Sequence, residues 1–257
     1  MANATRERLD KALVDRGLAP SREKAQALIM AGDVRVGGEV ARRASLPIGP
    51  DAAIAVREPP PFVSRGGQKL AHALDAFGID PRGLVCADVG ASTGGFTDCL
   101  LSRGAKRVYA IDVGRGQLHE TLRQDPRVIG RERTNARYLA SLDESVQGAT
   151  IDVSFISLRT ILPAVVRWFE TDGWLIALVK PQFEAGRADV GRGGVVRDPA
   201  IHRRVLREVA DAVEALGWRV TGATCSPLTG PAGNREFLTL ITRDGSPIDP
   251  TVAVDVE

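Results

Sequence analysis

Val85-Cys86-Ala87-Asp88-Val89-Gly90-Ala91-Ser92-Thr93-Gly94-Gly95-Phe96-Thr97-Asp98 is the stretch on which the fold turns. A short apolar run ends in an acid, a glycine-rich turn follows, and a helical pattern opens. That is the layout of a nucleotide-cofactor loop at the end of the first strand of an open α/β sheet. The glycines let the backbone turn tightly and approach a ligand. Their spacing is not the dinucleotide G-x-G-x-x-G, which speaks against a nicotinamide dehydrogenase. Residues 107–112 read as a second strand ending in Asp112, 24 positions after Asp88. A carboxylate there can accept both hydroxyls of an adenosine ribose.

Downstream, residues 127–129 predict a third strand, with Asn135, Ala136 and Arg137 beyond it. Residues 149–158 give a strand, a turn and the start of a helix that runs to about residue 169. Residues 174–179 are continuously apolar, as a strand buried on both faces should be. They lead into Lys180-Pro181-Gln182-Phe183-Glu184. Residues 185–197, rich in Gly and charge, predict an exposed mobile loop and a candidate lid. Pro199 opens an amphipathic helix that Gly217 stops. Residues 220–225 and 236–241 read as closing strands, and the tail from Asp244 shows no strong pattern. The alternation predicts an α/β, Rossmann-like doubly wound sheet, with one antiparallel strand near its end. Ligands bind such sheets at the carboxyl ends of the strands, where Asp88, Gly90, Asp112, Asp152 and Lys180 fall.

The bulk numbers narrow the classes. A chain of 257 residues holds one large domain or a small one and a medium one. No run of 18 apolar residues exists, so no membrane span is expected. The charged N-terminus lacks the apolar core of a secretory signal. Cys86, Cys99 and Cys225 are odd in number and widely spaced, which suits a reducing cytoplasm and argues against a metal site. His72, His119 and His202 sit on helical stretches without partners at any catalytic spacing, and read as surface or packing residues. With no G-x-S-x-G and no Walker lysine loop, hydrolysis and phosphoryl transfer are poorly supported.

The net charge of +2 is unevenly placed. The first 45 residues carry nine Arg and Lys against six acids, and seven of the nine are Arg, which favours bidentate phosphate contact. Residues 6–17 read as a helix with Gly17 as its cap. Ser21 starts a second helix with Ala25, Leu28 and Ile29 on its buried face, ended by Gly32. Gly37-Gly38 is a two-residue hairpin signal. Arg8-Leu9-Asp10, Arg16-Gly17, Ser21-Arg22, Ala25 and Ile29-x-Ala31-Gly32-x-Val34-x-Val36-x-Gly38 resemble the αL RNA-binding motif, the module named after ribosomal protein four of the small subunit. The resemblance implies an α+β RNA-binding domain over residues 1–57, with Arg6, Arg22, Lys24, Arg35, Arg42 and Arg43 facing RNA. Glu58-Pro59-Pro60-Pro61 reads as a stiff linker, taken as residues 58–63, ahead of a catalytic domain over 64–257.

Residues 88–96, Asp112, 152–158 and 180–184 resemble the TlyA (hemolysin A) family, a branch of the RrmJ-like 2′-O-ribose methyltransferases. The resemblance implies S-adenosylmethionine as cofactor and a cytidine ribose of ribosomal RNA, in ribosomal subunits, as substrate, with no membrane or metal partner. It implies a cofactor site of Asp88, Gly90, Ala91, Ser92, Thr93, Gly94, Phe96, Asp112, Asn135 and Asp152. Arg65 is taken with the RNA contacts. The family's Lys-Asp-Lys-Glu tetrad falls on Lys69, Asp152, Lys180 and Glu236. A ribose hydroxyl must lose its proton during attack. A lysine can take it only if neighbouring positive charge and desolvation lower its pKa, and Lys69 beside Lys180 is expected to supply that charge. Competing readings are a non-catalytic RNA-binding or ribosome-assembly factor and a membrane-active hemolysin. The sequence leaves monomer or homodimer open.

Overall fold

Three separate apolar cores organise the chain. A computed structural model describes residues 6–57, 60–170 and 172–255, and the chain divides into two units, Met1–Pro60 and Pro61–Glu257. Glu58 and Pro59 of the expected linker lie outside the described residues. Phe62 and Val63, also assigned to that linker, pack against the core of the second unit, and Val63 donates its N–H to Asp98 (2.8 Å).

The first unit opens with a two-residue strand β1 (Glu7–Arg8) and helix α1 (Leu9–Asp15). The expected helix over 6–17 is therefore shorter, because Glu7 and Arg8 pair with residues 47–48 instead of continuing the helix. Helix α2 (Arg22–Ala31) is capped by Ser21, whose hydroxyl accepts the Lys24 N–H (3.2 Å), and ended by Gly32 in the left-handed region. β2 (Val34–Val36) and β3 (Glu39–Val40) form the hairpin around Gly37-Gly38. β4 (Pro47–Ile48) pairs with β1, and β5 (Ile54–Val56) with β2; both were too short to read as strands from alternation. Leu9, Leu13, Ala25, Ile29 and Val34 fill the small core between helices and hairpin.

The second unit begins with α3 (Gly66–Phe77), β6 (Val85–Val89), α4 (Gly95–Ser102) and β7 (Arg107–Ile111). A four-residue helix α5 (Glu120–Arg123), β8 (Val128–Arg131), β9 (Gly148–Ile151), α6 (Leu158–Val165) and β10 (Trp174–Val179) follow. The predicted helix to residue 169 is α-helical only to Val165, with Pro163 inside it and a 3₁₀ turn over Val166–Trp168. The chain closes with α7 (Pro181–Glu184), α8 (Pro199–Glu214), β11 (Arg219–Cys225) and β12 (Phe237–Thr242). The sheet order is β11-β12-β10-β9-β6-β7-β8, and β12 runs antiparallel to both neighbours, as expected.

Strand alternation sorts the side chains into two layers. Val85, Ala87 and Val89 face α6 and α8, while Cys86 faces α3 and α4. From β6 the chain winds outward through β7 and β8; from β9 it winds the other way. The switch point lies between β6 and β9, the position where doubly wound sheets bind ligands.

The 185–197 loop is less free than its composition predicts. Val195 and Val196 are buried, Val196 donates its N–H to Asn234 (2.9 Å), and His202 bonds the Val196 carbonyl (3.0 Å). The tail also has structure: a 3₁₀ segment, Pro250–Val254, buries Ala253 and Val254 in the main core. Among the described residues, no helix is long and apolar enough to cross a membrane.

Candidate active site

The glycine turn is shaped by what surrounds it. Gly90 has φ +86°, and a Cβ there would run into the carbonyl of Asp152 at the end of the neighbouring strand. Gly94, at φ +96°, is hemmed in by Leu118 and Leu122. These positions need glycine for both backbone and space. Between them Ser92 takes φ +49° without being glycine, and its N–H is held by Asp112 Oδ2 (2.8 Å). Asp112 Oδ1 accepts the Gly114 N–H (2.7 Å). A carboxylate has about four lone-pair sites, so both oxygens retain acceptor capacity toward the cleft.

Three clefts meet at Ser92. One of about 190 Å³ is bounded by Arg65, Lys69, Ala91, Thr93, Phe96 and Asp152. One of about 480 Å³ is bounded by Gly90, Asp112, Asn135, Asp152 and Phe155. A third, about 630 Å³, lies on the other side of Asp112. The expected cofactor residues Gly90, Ala91, Ser92, Thr93, Phe96, Asp112, Asn135 and Asp152 thus all line this groove.

Asp88 and Gly94 do not. Asp88 points into the α3/α4 layer, has no exposed surface, and accepts the hydroxyls of Thr97 (2.7 Å) and Thr150 (3.2 Å). Burial pushes its carboxyl up to about 7. It ties β6 to β9 and α4 beneath the turn. Gly94 is buried behind the turn.

The four expected catalytic residues form two ion pairs. Lys180 Nζ lies 2.6 Å from Asp152 Oδ1 and donates to Ser154 Oγ at 3.0 Å. Lys69, in the first turns of α3, pairs with buried Glu236 at the head of β12. Each lysine of the expected tetrad thus has its own carboxylate partner. Lys69 and Asp152 line the same small cleft.

Arg65 borders that cleft as well, with its guanidinium on the Thr229 carbonyl (3.1 Å). In the first unit Arg6, Arg22, Lys24, Arg35, Arg42 and Arg43 are all exposed. There Arg8 and Asp10, quoted within the motif but given no role, form a cluster the sequence did not show. Asp10 is fully buried and receives Arg8 Nε and Nη2 (3.0 and 2.9 Å), Arg22 Nη2 (3.0 Å) and Gln26 Nε2 (2.9 Å). Also missed was Phe155, 91% exposed at φ +64° on the cleft rim, its ring 5.0 Å from Phe183. A bulky residue held exposed in a strained conformation is the kind of feature binding sites retain.

A Rossmann-like sheet with a glycine turn, a ribose-type acid and paired Lys–carboxylate side chains at its strand ends defines a class of group-transfer enzymes. The chain belongs to the FtsJ-like methyltransferase family, which matches residues 62–243, and an S4 domain matches residues 7–54. It is 48% identical over 238 residues to the 16S/23S rRNA (cytidine-2'-O)-methyltransferase TlyA of Mycobacterium tuberculosis, covering 91% of this chain and 89% of that one. It is 41% identical to Hemolysin A of Brachyspira hyodysenteriae, covering 90% and 98%. A solved structure named for a hemolysin of Streptococcus thermophilus matches with TM-score 0.73 at 43% identity, over 98% of this chain and 94% of the other.

Proposed function

We propose that this chain transfers a methyl group from S-adenosylmethionine to the 2′-hydroxyl of a cytidine ribose in ribosomal RNA. The carrying observation is the Asp152–Lys180 pair at the carboxyl ends of β9 and β10, with Lys69, paired to Glu236, on the same small cleft as Asp152. The groove fits the cofactor: the Gly90 turn leaves no room for a side chain, and clefts of about 190 and 480 Å³ flank Ser92. Gly90–Thr93 would cradle the amino-acid end, and Asp112 would accept the ribose hydroxyls. Asn135 and Phe155 would border the base. When bound, the sulfonium supplies an already activated methyl group.

The rest falls to the chain's own groups. The ribose hydroxyl must be held in line with the methyl carbon and must give up its proton. Lys180 Nζ is assigned the proton in its neutral amine form, since an ammonium has no lone pair to accept it, with Asp152 and Ser154 fixing the direction of the amine. Lys69, steadied by Glu236, offers a charged donor to the oxygen as it becomes anionic. The S4 domain and Arg65 would bring RNA phosphates to the site, and work on ribosomal RNA implies a cytoplasmic protein.

The reading is tested by mapping 2′-O-methyl positions on ribosomal RNA with and without the protein, alongside Lys180→Ala. The expected result is a cytidine methylated only with active protein, and lost with Lys180→Ala while S-adenosylmethionine still binds. An unchanged methylation map, or full turnover by the variant, would reject the assignment.

A further inference from the structure

A buried carboxylate sits beside the strand ends and takes no part in the chemistry assigned above. Glu184, the last residue of α7, is almost entirely shielded from solvent. Its Oε2 accepts the Ser157 hydroxyl (2.5 Å) and its Oε1 accepts the Leu158 N–H (2.7 Å). Ser157 is the cap and Leu158 the first residue of α6. The Glu184 carbonyl in turn accepts Arg159 Nη2 (3.1 Å). One residue of α7 therefore satisfies the start of α6, whose N–H groups have no partners within their own helix.

What this joins is more telling than the bonds themselves. β9 and β10 are parallel neighbours, and their register ends at the pair Ile151 and Ala177. Asp152 lies just beyond β9, and Lys180 just beyond β10. Past the ladder, side chains carry the connection. The rungs are Asp152–Lys180, then Ser154–Lys180, then Phe155 on Phe183, and last Glu184 on Ser157 and Leu158. The other rungs are partly open to water, and Phe155 is 91% exposed. Glu184 is the best buried of them, at 2% side-chain exposure. A charge-assisted bond shielded from water holds its geometry better than an exposed pair. Arg159 lies 3.6 Å from the carboxylate and also reaches Glu208 (3.3 Å), so the far end of the clasp is braced against α8.

The geometry points to Glu184 as a positioning residue that locks segment 152–158 to segment 180–184 and so sets Asp152 against Lys180. This rests on the methyl-transfer reading above. It assigns Glu184 no contact with substrate or cofactor.

The test compares Glu184→Ala, Glu184→Gln and the double variant Ser157→Ala/Glu184→Gln with the native full-length chain. Single-turnover methylation of ribosomal RNA, KM for S-adenosylmethionine and for RNA, and amide hydrogen exchange without cofactor are measured. Glu184→Ala should slow transfer about 10- to 100-fold, as a small misplacement of reacting groups does. Both KM values should stay within about threefold, and exchange across 152–158 should accelerate. Glu184→Gln keeps the shape and an acceptor for the Leu158 N–H, and should recover most of the rate. If Glu184→Ala does not fold, the double variant decides, with an expected loss of about tenfold. Native rates in the folded alanine or double variant would overturn the proposal, as would a loss carried by KM or unchanged exchange over 152–158. If the native chain methylates no RNA, the functional reading fails, and the exchange comparison still decides the clasp.

Discussion

Around Asp10 one carboxylate serves two guanidiniums and an amide, whereas at the strand ends two carboxylates serve two ammoniums. The first arrangement leaves a positive excess, and Arg8 and Arg22 keep 50% and 57% of their side chains exposed. The second is balanced and largely shielded. An excess of exposed guanidinium attracts anions, and salt weakens it. A balanced, shielded set attracts little at a distance but holds donors and acceptors in fixed directions, as proton transfer demands. On the proposed function, cation–carboxylate clusters would serve capture in one unit and chemistry in the other, with stoichiometry and burial deciding which.

Removing one partner should separate the two roles. Lys180→Met leaves Asp152 without its cation and should reduce single-turnover methylation by about 10²- to 10⁴-fold. RNA affinity should be unchanged, measured by filter binding. A variant that loses RNA affinity in proportion to its rate would erase the distinction drawn above. Conversely, Arg22→Glu with Lys24→Glu should weaken RNA binding by about tenfold or more and reduce the slope of log affinity against log salt by about two. The maximal rate at saturating RNA should hold. An unaltered salt slope would remove the S4 surface from RNA capture.

Much of this was legible in the sequence because backbone geometry left no alternative. The Gly90 turn could be read from its glycines, since two of them have positive φ and no space for a Cβ. The β10 run was plain from six consecutive buried apolar residues. The burial of Asp88 was not legible, because an acid at a strand end looks alike whether it faces the cleft or the sheet. Alternation with Val85, Ala87 and Val89 sets it on the Cys86 side, toward Thr97 of α4, and that clue lies within the strand itself. Lys69 and Glu236 are separated by 167 positions, so no spacing rule joins them, and their pairing came through family resemblance. Glu184 and Asp10 fell inside the quoted motifs but their burial and partners could not be read there, because a carboxylate's burial depends on elements that pack over it elsewhere in the chain.

Asp88 also gives a pH test. Its folded value of about 7 lies above the unfolded value near 3.9, so the folded state binds more protons between them. Asp88 therefore lowers stability progressively as pH rises from about 4 to about 7. Asp88→Asn cannot ionise, and its stability between pH 5 and pH 8 should fall less than the native protein's, by about 2–3 kcal/mol. Urea unfolding at both pH values measures this. Parallel native and variant curves would mean the carboxyl is ionised throughout. It would then be a charged member of the site rather than a buried strut.

The smallest expected effect is the sharpest test of the comparison, because simple electrostatics predicts its opposite sign. Asp10→Asn removes a negative charge from a surface proposed to bind phosphate. If net charge governed capture, RNA affinity would rise. If Asp10 instead aligns Arg8 and Arg22, the neutral amide loses the bidentate hold on Arg8 and the bond from Arg22, and affinity should fall by about three- to tenfold. Arg8→Lys offers the same test at constant charge: a lysine cannot reproduce the two-point bond to Asp10, and it too should bind RNA more weakly. The Arg8 hydrogen bond holds the Asp10 carboxyl well below the usual carboxylate range. The cluster therefore stays charged at neutral pH, and buffer choice does not confound the measurement. Tighter binding by Asp10→Asn together with native binding by Arg8→Lys would show that the exposed surplus acts through its charge alone.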